Sequence, residues 1–441
     1  MKWTKIFGIV GLVQAVGACL LPEERQGGVA RARKVDRRQS YGKAIGTGDR
    51  FSGGSSFPRG IGSGNATSMT TILNVKEVIS GLNGLAKEYG IETFTTPYTT
   101  HGGATISGGK VGGQGTCNST YRVYLNGAIH ARERGSSDNI LYFISDLLYA
   151  KKYSKGLTYG SKSYTNAQVL TALDAGIVFV PLSNPDGVAY DQSSNSCWRK
   201  NRNPASSTGS AASIGVDLNR NFDFAWAPSH WATSEREEVA SSSPSSEVYR
   251  GTAAFSEPET KSIKWVMDTF NKVRWYIDLH SYTGDVLYSW GSDTDQSTNP
   301  YKNFMNTTYD SIRGITTDST TTKYGEYISA TELSTAKSVG TSVGNGMSAA
   351  ASRSYTVKQS AYLYPTSGAS DDYAFSRHYA DSTLNLIYPY TIEFGFGSSV
   401  SSCPFYPTDS DYTKNLQETN AGFMEFLLAA TAAGLGDPQT C

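Results

Sequence analysis

Two kinds of hydrophobic pattern alternate along the chain. Short aromatic and β-branched runs at Tyr121–Leu125, Ile177–Leu182, Arg274–Leu279 and Tyr388–Ile392 read as buried strands. Between them, apolar residues recur at helical spacing. Val75, Val78, Ile79, Leu82, Leu85 and Ala86 mark a helix over Leu73–Tyr89. Ile140, Phe143, Ile144, Leu147 and Leu148 mark another, with Ser136 or Ser137 as its cap. Further helices are predicted over Asn166–Asp174, from Ser256-Glu257-Pro258-Glu259 to about Asn271, with Pro inside the first turn, and over Leu416–Ala430. Residues 40–68 are rich in Gly and Ser and read as an extended or mobile lead-in. Gly102–Gly115 reads as loop or hairpin turns, and Asn184-Pro185-Asp186-Gly187 as a turn shaped by the Asp186 side chain.

Strands alternating with helices predict an α/β fold in a single domain, with a mixed, mostly parallel central sheet covered by helices on both faces. In such sheets ligands bind beyond the carboxyl ends of the strands, near a switch in strand order. His130, His280 and Glu393 all follow predicted strands at that end. No internal repeat and no boundary between two domains is evident.

Of 441 residues, 38% are hydrophobic and 12% aromatic, enough for a large core. Lys+Arg and Asp+Glu balance at 39 each, so overall charge implies no nucleic-acid partner. Residues 1–18 read as a secretory signal peptide, with Lys2 and Lys5 before an apolar run too short to span a bilayer. Residues 19–67 read as a short basic pro-segment, trimmed at Arg33-Lys34 or Arg37-Arg38, followed by the Gly/Ser lead-in. Residues 68–441 then form the main folded domain. A secreted, extracellular protein without stable membrane association is expected, in monomeric form; a lipid-anchored Cys19 is the alternative.

In an oxidising compartment the remaining four cysteines make two disulfides. Sequence order points to Cys403–Cys441 and, by elimination, Cys117–Cys197, out of three possible pairings. Sequons at Asn65, Asn118 and Asn306 fit glycosylation.

The pair His130-x-x-Glu133 between a strand and a helix offers an imidazole and a carboxylate for one Zn²⁺. Alone it is a weak signal. With NGAIHARE, LSNPDGVAY, CWRKNR, GVDLNRN, IDLHSYTG, YPTSGASDDY and YTIEF in one order, however, the chain resembles the zinc metallocarboxypeptidases of the carboxypeptidase A/B family over roughly residues 68–432. The resemblance implies one Zn²⁺ per chain, held by His130, Glu133 and His280, with Glu393 as general base and Arg199 polarising the scissile carbonyl. It implies that Asn219, Arg220 and Tyr364 grip the substrate's terminal carboxylate, and that Arg132 and Tyr282 serve the next residues outward. Asp217 matches a carboxylate that fixes the His130 tautomer. His101, His230 and His378 match no motif and read as ordinary polar histidines.

Within YPTSGASDDY, Asp371 matches the family's specificity residue at the base of the side-chain pocket, and the resemblance implies a preference for a C-terminal Lys or Arg. A slip of one residue would substitute Asp372. Arg134 stands where the digestive members commonly carry an aromatic, so a more polar wall near the metal is expected. The globular pro-domain of many relatives is absent. The implied activity is removal of C-terminal residues from peptides and proteins. The alternatives are preference for hydrophobic or aromatic C-termini, a catalytically silent binding relative, or a different amide hydrolase on the same scaffold.

Overall fold

The structure is a computed structural model that describes residues 41–64, 66, 69–113, 118–316 and 324–436. Residues 1–40, Asn65, Cys117 and Cys441 lie outside the described residues, and with them the expected signal peptide and pro-segment.

Eight strands make one sheet: β1 (Glu92–Thr99), β2 (Thr105–Val111), β3 (Val123–Gly127), β4 (Ile177–Val180), β5 (Trp275–His280), β6 (Asp285–Tyr288), β7 (Thr356–Gln359) and β8 (Tyr388–Glu393). Their order is β1-β2-β4-β3-β5-β8-β6-β7. The central β4, β3, β5 and β8 run parallel, while β1, β2 and the β8–β6 pair are antiparallel. After β3 the chain steps to β4 on one side, then crosses to β5 on the other. The order therefore reverses between β3 and β5, where a ligand crevice opens.

Alternate residues of a strand face opposite sides of the sheet, and both sides are covered. Tyr390 of β8 meets Phe426 of the C-terminal helix (Asp409–Ala433) and donates its hydroxyl to Ala336 O of the helix Ala330–Ala351. Its neighbour Thr391 faces the other side and bonds Asp371 of the helix Ser370–Ala380. On this second side also stand Asp278 and His280 of β5 and Glu393 of β8. The β5–β8 register sets Glu393 directly beside His280.

The first helix runs Val75–Tyr89, closed at its start by a capping box between Asn74 and Glu77. Val78, Leu82 and Leu85 are buried, whereas Ile79 is exposed. The helix after the His130 loop spans Ser136–Lys152, and its cap is Gly135 at φ 97°, where a side chain is strained. Ser136 instead bridges the sheet: its hydroxyl accepts Ala128 N–H and donates to Leu279 O. Asn184-Pro185 opens a helix, Pro185–Ser194, rather than a free turn, with Asn184 Oδ1 accepting Gly187 N–H and Pro at the first helical position. Asp186 does not shape that segment; it accepts from Thr100 Oγ1 and Gly102 N–H and so holds the β1–β2 hairpin.

The described part of the lead-in, from residue 41, is packed, not extended. Phe51 is buried, Ile45 bridges to Ile72, and Arg50 Nε donates to Glu77 Oε1 at 2.7 Å. Small residues permit this approach: a Cβ on Gly84 would stand 2.2 Å from Ser56 O.

Candidate active site

The loop leaving β3 carries His130 and Glu133, and β5 ends at His280. All three side chains are fully buried, and their ligand atoms lie within 4.8 Å of one another. His130 Nδ1 is 2.8 Å from Glu133 Oε1, and His280 Nδ1 is 3.1 Å from His130 Nδ1 and 3.3 Å from Glu133 Oε2. The remaining nitrogen of each ring faces its own carboxylate. His130 Nε2 donates to Asp217 Oδ1 at 3.1 Å, and His280 Nε2 stands 3.3 Å from Asp278 Oδ2. A proton on each Nε2 leaves both Nδ1 lone pairs aimed at one point beside the Glu133 carboxylate.

Electrostatics keep this arrangement in its ligating form. Burial and the Arg199 guanidinium push His130 below the ordinary imidazole range, so the ring is neutral. Burial alone would raise the Asp217 carboxyl, but Arg199 and His130 outweigh it and hold it well below the usual carboxylate range. Asp278 is lowered in the same sense, with His280 overcoming burial. Two imidazoles and a carboxylate converging in a buried site fit Zn²⁺, with a fourth position left for water or substrate.

Arg199 arrives from another segment. Its Nε and Nη2 donate to Asp217 Oδ2 at 3.1 and 2.8 Å, and its Nη1 lies 3.2 Å from His130 Nδ1. Asp217 also caps the turn Leu218–Arg220 by accepting Asn219 N–H, which fixes Asn219 and Arg220 relative to the ligands.

One cavity is lined by His130, Arg199, Asn219, Arg220, Tyr364, Asp371 and Glu393 together. Arg220 is 1% exposed; Nη1 donates to Asn219 O, while Nε and Nη2 have no hydrogen-bond partner among the described residues. Asn219 Oδ1 accepts Ser370 N–H, leaving its amide as a donor. Tyr364 is half-buried, its ring 5.8 Å from the Arg220 guanidinium. Asp371 accepts from Asp372 N–H on Oδ1 and from Ser360 and Thr391 hydroxyls on Oδ2, and burial pushes its carboxyl up. Asp372 instead accepts Gly291 N–H and does not line the cavity.

The model of the zinc carboxypeptidase family matches residues 82–422. The chain belongs to that family. Carboxypeptidase B of Helicoverpa zea is 31% identical over 178 residues, 40% of this chain and 36% of that protein. Zinc carboxypeptidase A 1 of Drosophila melanogaster is 33% identical over 211 residues, 47% and 43% of the two. The matched segments span less than half the length of either relative. The crystal structure of carboxypeptidase A from Helicoverpa armigera has the same fold, with a TM-score of 0.59, 22% identity and coverage of 85% of this chain and 76% of that one.

Arg132 and Tyr282, predicted to serve residues further along the substrate, meet at Phe405, outside the Arg220 cavity. The Arg132 guanidinium lies 4.3 Å from the Phe405 ring and Tyr282 packs edge-on to it at 4.7 Å. Next to them is a disulfide between Cys197 and Cys403. This overturns the expected Cys117–Cys197 and Cys403–Cys441 pairs, because Cys197 and Cys403 are each other's partner. Sequence order misled, since the link joins the Arg199 segment to the loop after Glu393, 206 residues apart.

Arg134 does not make the metal wall polar. It turns to Asp191, donating from Nε to Oδ2 at 2.9 Å, and stacks on Tyr406. The other histidines have ordinary partners: His101 with Glu257, His230 with Asp310, and His378 with Leu384 O. Sequence reasoning missed Asp278, although it lies two residues before His280 and so on the same strand face. Asn126 Nδ2 and Ser370 Oγ both donate to it.

Proposed function

We propose that this protein is a zinc-dependent carboxypeptidase that removes single residues from peptide and protein C-termini. The observation that carries the reading is the buried Arg220 guanidinium, with N–H groups unpartnered among the described residues, in the cavity that also holds Glu393 and the His130 edge of the metal cluster. A buried cation with open donors calls for an anion. A free C-terminal carboxylate supplies it, with its scissile bond one residue away at the metal ligands. An endopeptidase has no use for such a receptor.

His130, Glu133 and His280 would hold a zinc ion, which would supply an acidified water and a Lewis acid for the carbonyl. Arg220, Asn219 and the Tyr364 hydroxyl bind the terminal carboxylate and set the bond in register. Glu393, fixed at the end of β8 beside His280, takes the proton from the attacking water and delivers it to the leaving amine. Arg199, charged at all pH values of interest and held by Asp217, donates to the carbonyl oxygen as negative charge develops there. Arg132 and Tyr282 contact residues further from the cut.

Asp371 in the same cavity supports a preference for C-terminal Lys or Arg, because an apolar side chain would leave its carboxylate without a counter-charge. Secretion is part of the proposal: the N-terminal segment has the signal pattern, and the Cys197–Cys403 link suits an oxidising compartment. The sequons at Asn118 and Asn306 fit the same setting.

The test is release of the last residue from peptides that differ only at that position. Lys and Arg should leave well ahead of Leu and Phe, and the preference should weaken as the pH falls and Asp371 takes up a proton. Faster release of Phe or Leu would overturn the basic preference and leave the exopeptidase assignment standing. Internal cleavage, with amidated and free C-termini treated alike, would overturn the exopeptidase assignment.

A further inference from the structure

The Asp191 carboxylate is fully buried in the helix Pro185–Ser194, touches none of the residues assigned to catalysis, and nonetheless binds the chain on which Arg199 is mounted. Its Oδ1 accepts Trp198 N–H at 2.9 Å, one residue before Arg199, and the Tyr406 hydroxyl at 2.6 Å. Tyr406 in turn accepts Cys197 N–H at 2.7 Å. Its Oδ2 accepts Arg134 Nε at 2.9 Å, and the Asp191 main-chain oxygen accepts Arg134 Nη2 at 3.0 Å. The Arg134 guanidinium lies over the Tyr406 ring, 3.4 Å from its centroid.

Three segments distant in sequence thus converge on one buried anion: the loop with the metal ligands, through Arg134; the segment with the carbonyl-polarising arginine, through Cys197 and Trp198; and the loop after the general base, through Tyr406. The Cys197–Cys403 disulfide ties the last two a second time. Arg199 O also accepts Ala131 N–H, so the arginine segment and the ligand loop are in direct register. A buried carboxylate with three donors is a rigid joint, because loss of its charge leaves the Arg134 cation buried and unpaired.

Resting on the carboxypeptidase reading, we propose that Asp191 is a positioning residue for the reaction, setting where the Arg199 guanidinium sits relative to the scissile carbonyl, with Arg134 and Tyr406 as its working partners. Negative charge builds on the carbonyl oxygen only as water attacks, so the device acts on kcat and not on binding of the terminal carboxylate.

The experiment is a double-mutant cycle on the full chain, pairing Asp191→Asn with Arg199→Gln, with kcat referred to bound zinc and melting temperature recorded. Asp191→Asn alone should lower kcat per zinc about 10–100-fold with KM within about twofold, since a misplacement near 1 Å costs about 10² in rate. In the Arg199→Gln background the same change should cost less than about twofold, because the group it positions is gone. A crystal structure of Asp191→Asn should show the Arg199 guanidinium displaced from Asp217. Tyr406→Phe, which keeps the ring and removes only the hydroxyl, should give a smaller loss of the same kind, and serves if Asp191→Asn does not fold. Wild-type kcat per zinc in both Asp191→Asn and Tyr406→Phe overturns the proposal. So does a loss of equal size in both Arg199 backgrounds, which is the signature of a merely structural residue. Inactive wild-type protein would instead remove the carboxypeptidase reading, and the Arg199 position in the variant crystal would still decide the positioning claim.

Discussion

The two halves of the site are finished differently. Around the metal cluster each polar group faces another: both imidazoles carry a buried carboxylate on the far nitrogen, and Asp217 is held by Arg199 as well. In the pocket, Arg220 is just as deeply buried, yet two of its nitrogens point at no acceptor among the described residues. The closed half suits an ion of fixed coordination that stays. The open half suits an anion that arrives and leaves, since unpaired buried donors make the pocket costly when empty and selective when filled.

Breaking the closed half should have the largest effect. Glu133→Gln or His280→Ala should reduce bound zinc to a small fraction of one per chain, by elemental analysis, and peptide release to background. Glu393→Gln separates chemistry from metal binding: turnover should fall about 10²–10⁴-fold with zinc content unchanged. Breaking the open half is next. Arg220→Met should lower kcat/KM for free C-termini by at least about 100-fold and abolish discrimination against amidated peptides, with zinc again unchanged. Asp278→Asn probes how far the closed half relies on its outer carboxylates; zinc affinity should weaken about 10–100-fold, read by competition with a chelator, while the zinc-saturated variant keeps most of its turnover.

The smallest effect lies outside both halves. Burial raises Asp146 to about 7 and Glu259, Asp295 and Glu326 to about 8. The folded chain therefore holds more protons than the unfolded one between the ordinary carboxylate range and pH 8, and stability falls as pH rises through that window. Melting temperature should rise by several degrees as the pH is lowered from about 8 to about 5. A flat profile would show these carboxyls to be better solvated than their positions imply.

The sequence made the centre of the fold legible because β3, β4, β5 and β8 are short, aromatic and β-branched, and buried on both faces. His130, His280 and Glu393 were legible through their motifs, and each lies at or just beyond a strand's carboxyl end, where a parallel sheet presents its ligands. The helix Ala330–Ala351 escaped notice. Its buried stripe is Ala336, Val339, Gly340, Val343, Gly344 and Met347, too small to register as a hydrophobic run, although Ser329 and Glu332 form a capping box at its start. The helix uses that smallness, since a Cβ on Gly344 would stand 2.5 Å from Val357. Gly108 and Gly109 hid β2 in the same way: a Cβ on Gly108 would stand 2.3 Å from Phe179 O. The Cys197–Cys403 pairing and the turn of Arg134 toward Asp191 depend on loops folding back over more than fifty residues, which no local pattern records.

The most direct test of the central claim is lysine release from a peptide ending in Lys, measured on the native protein, after removal of metal by a chelator, and after zinc is returned. The three side chains at one buried point predict release in the first state, none in the second and recovery in the third. Release that continues undiminished from metal-free protein would contradict a zinc centre at His130, Glu133 and His280.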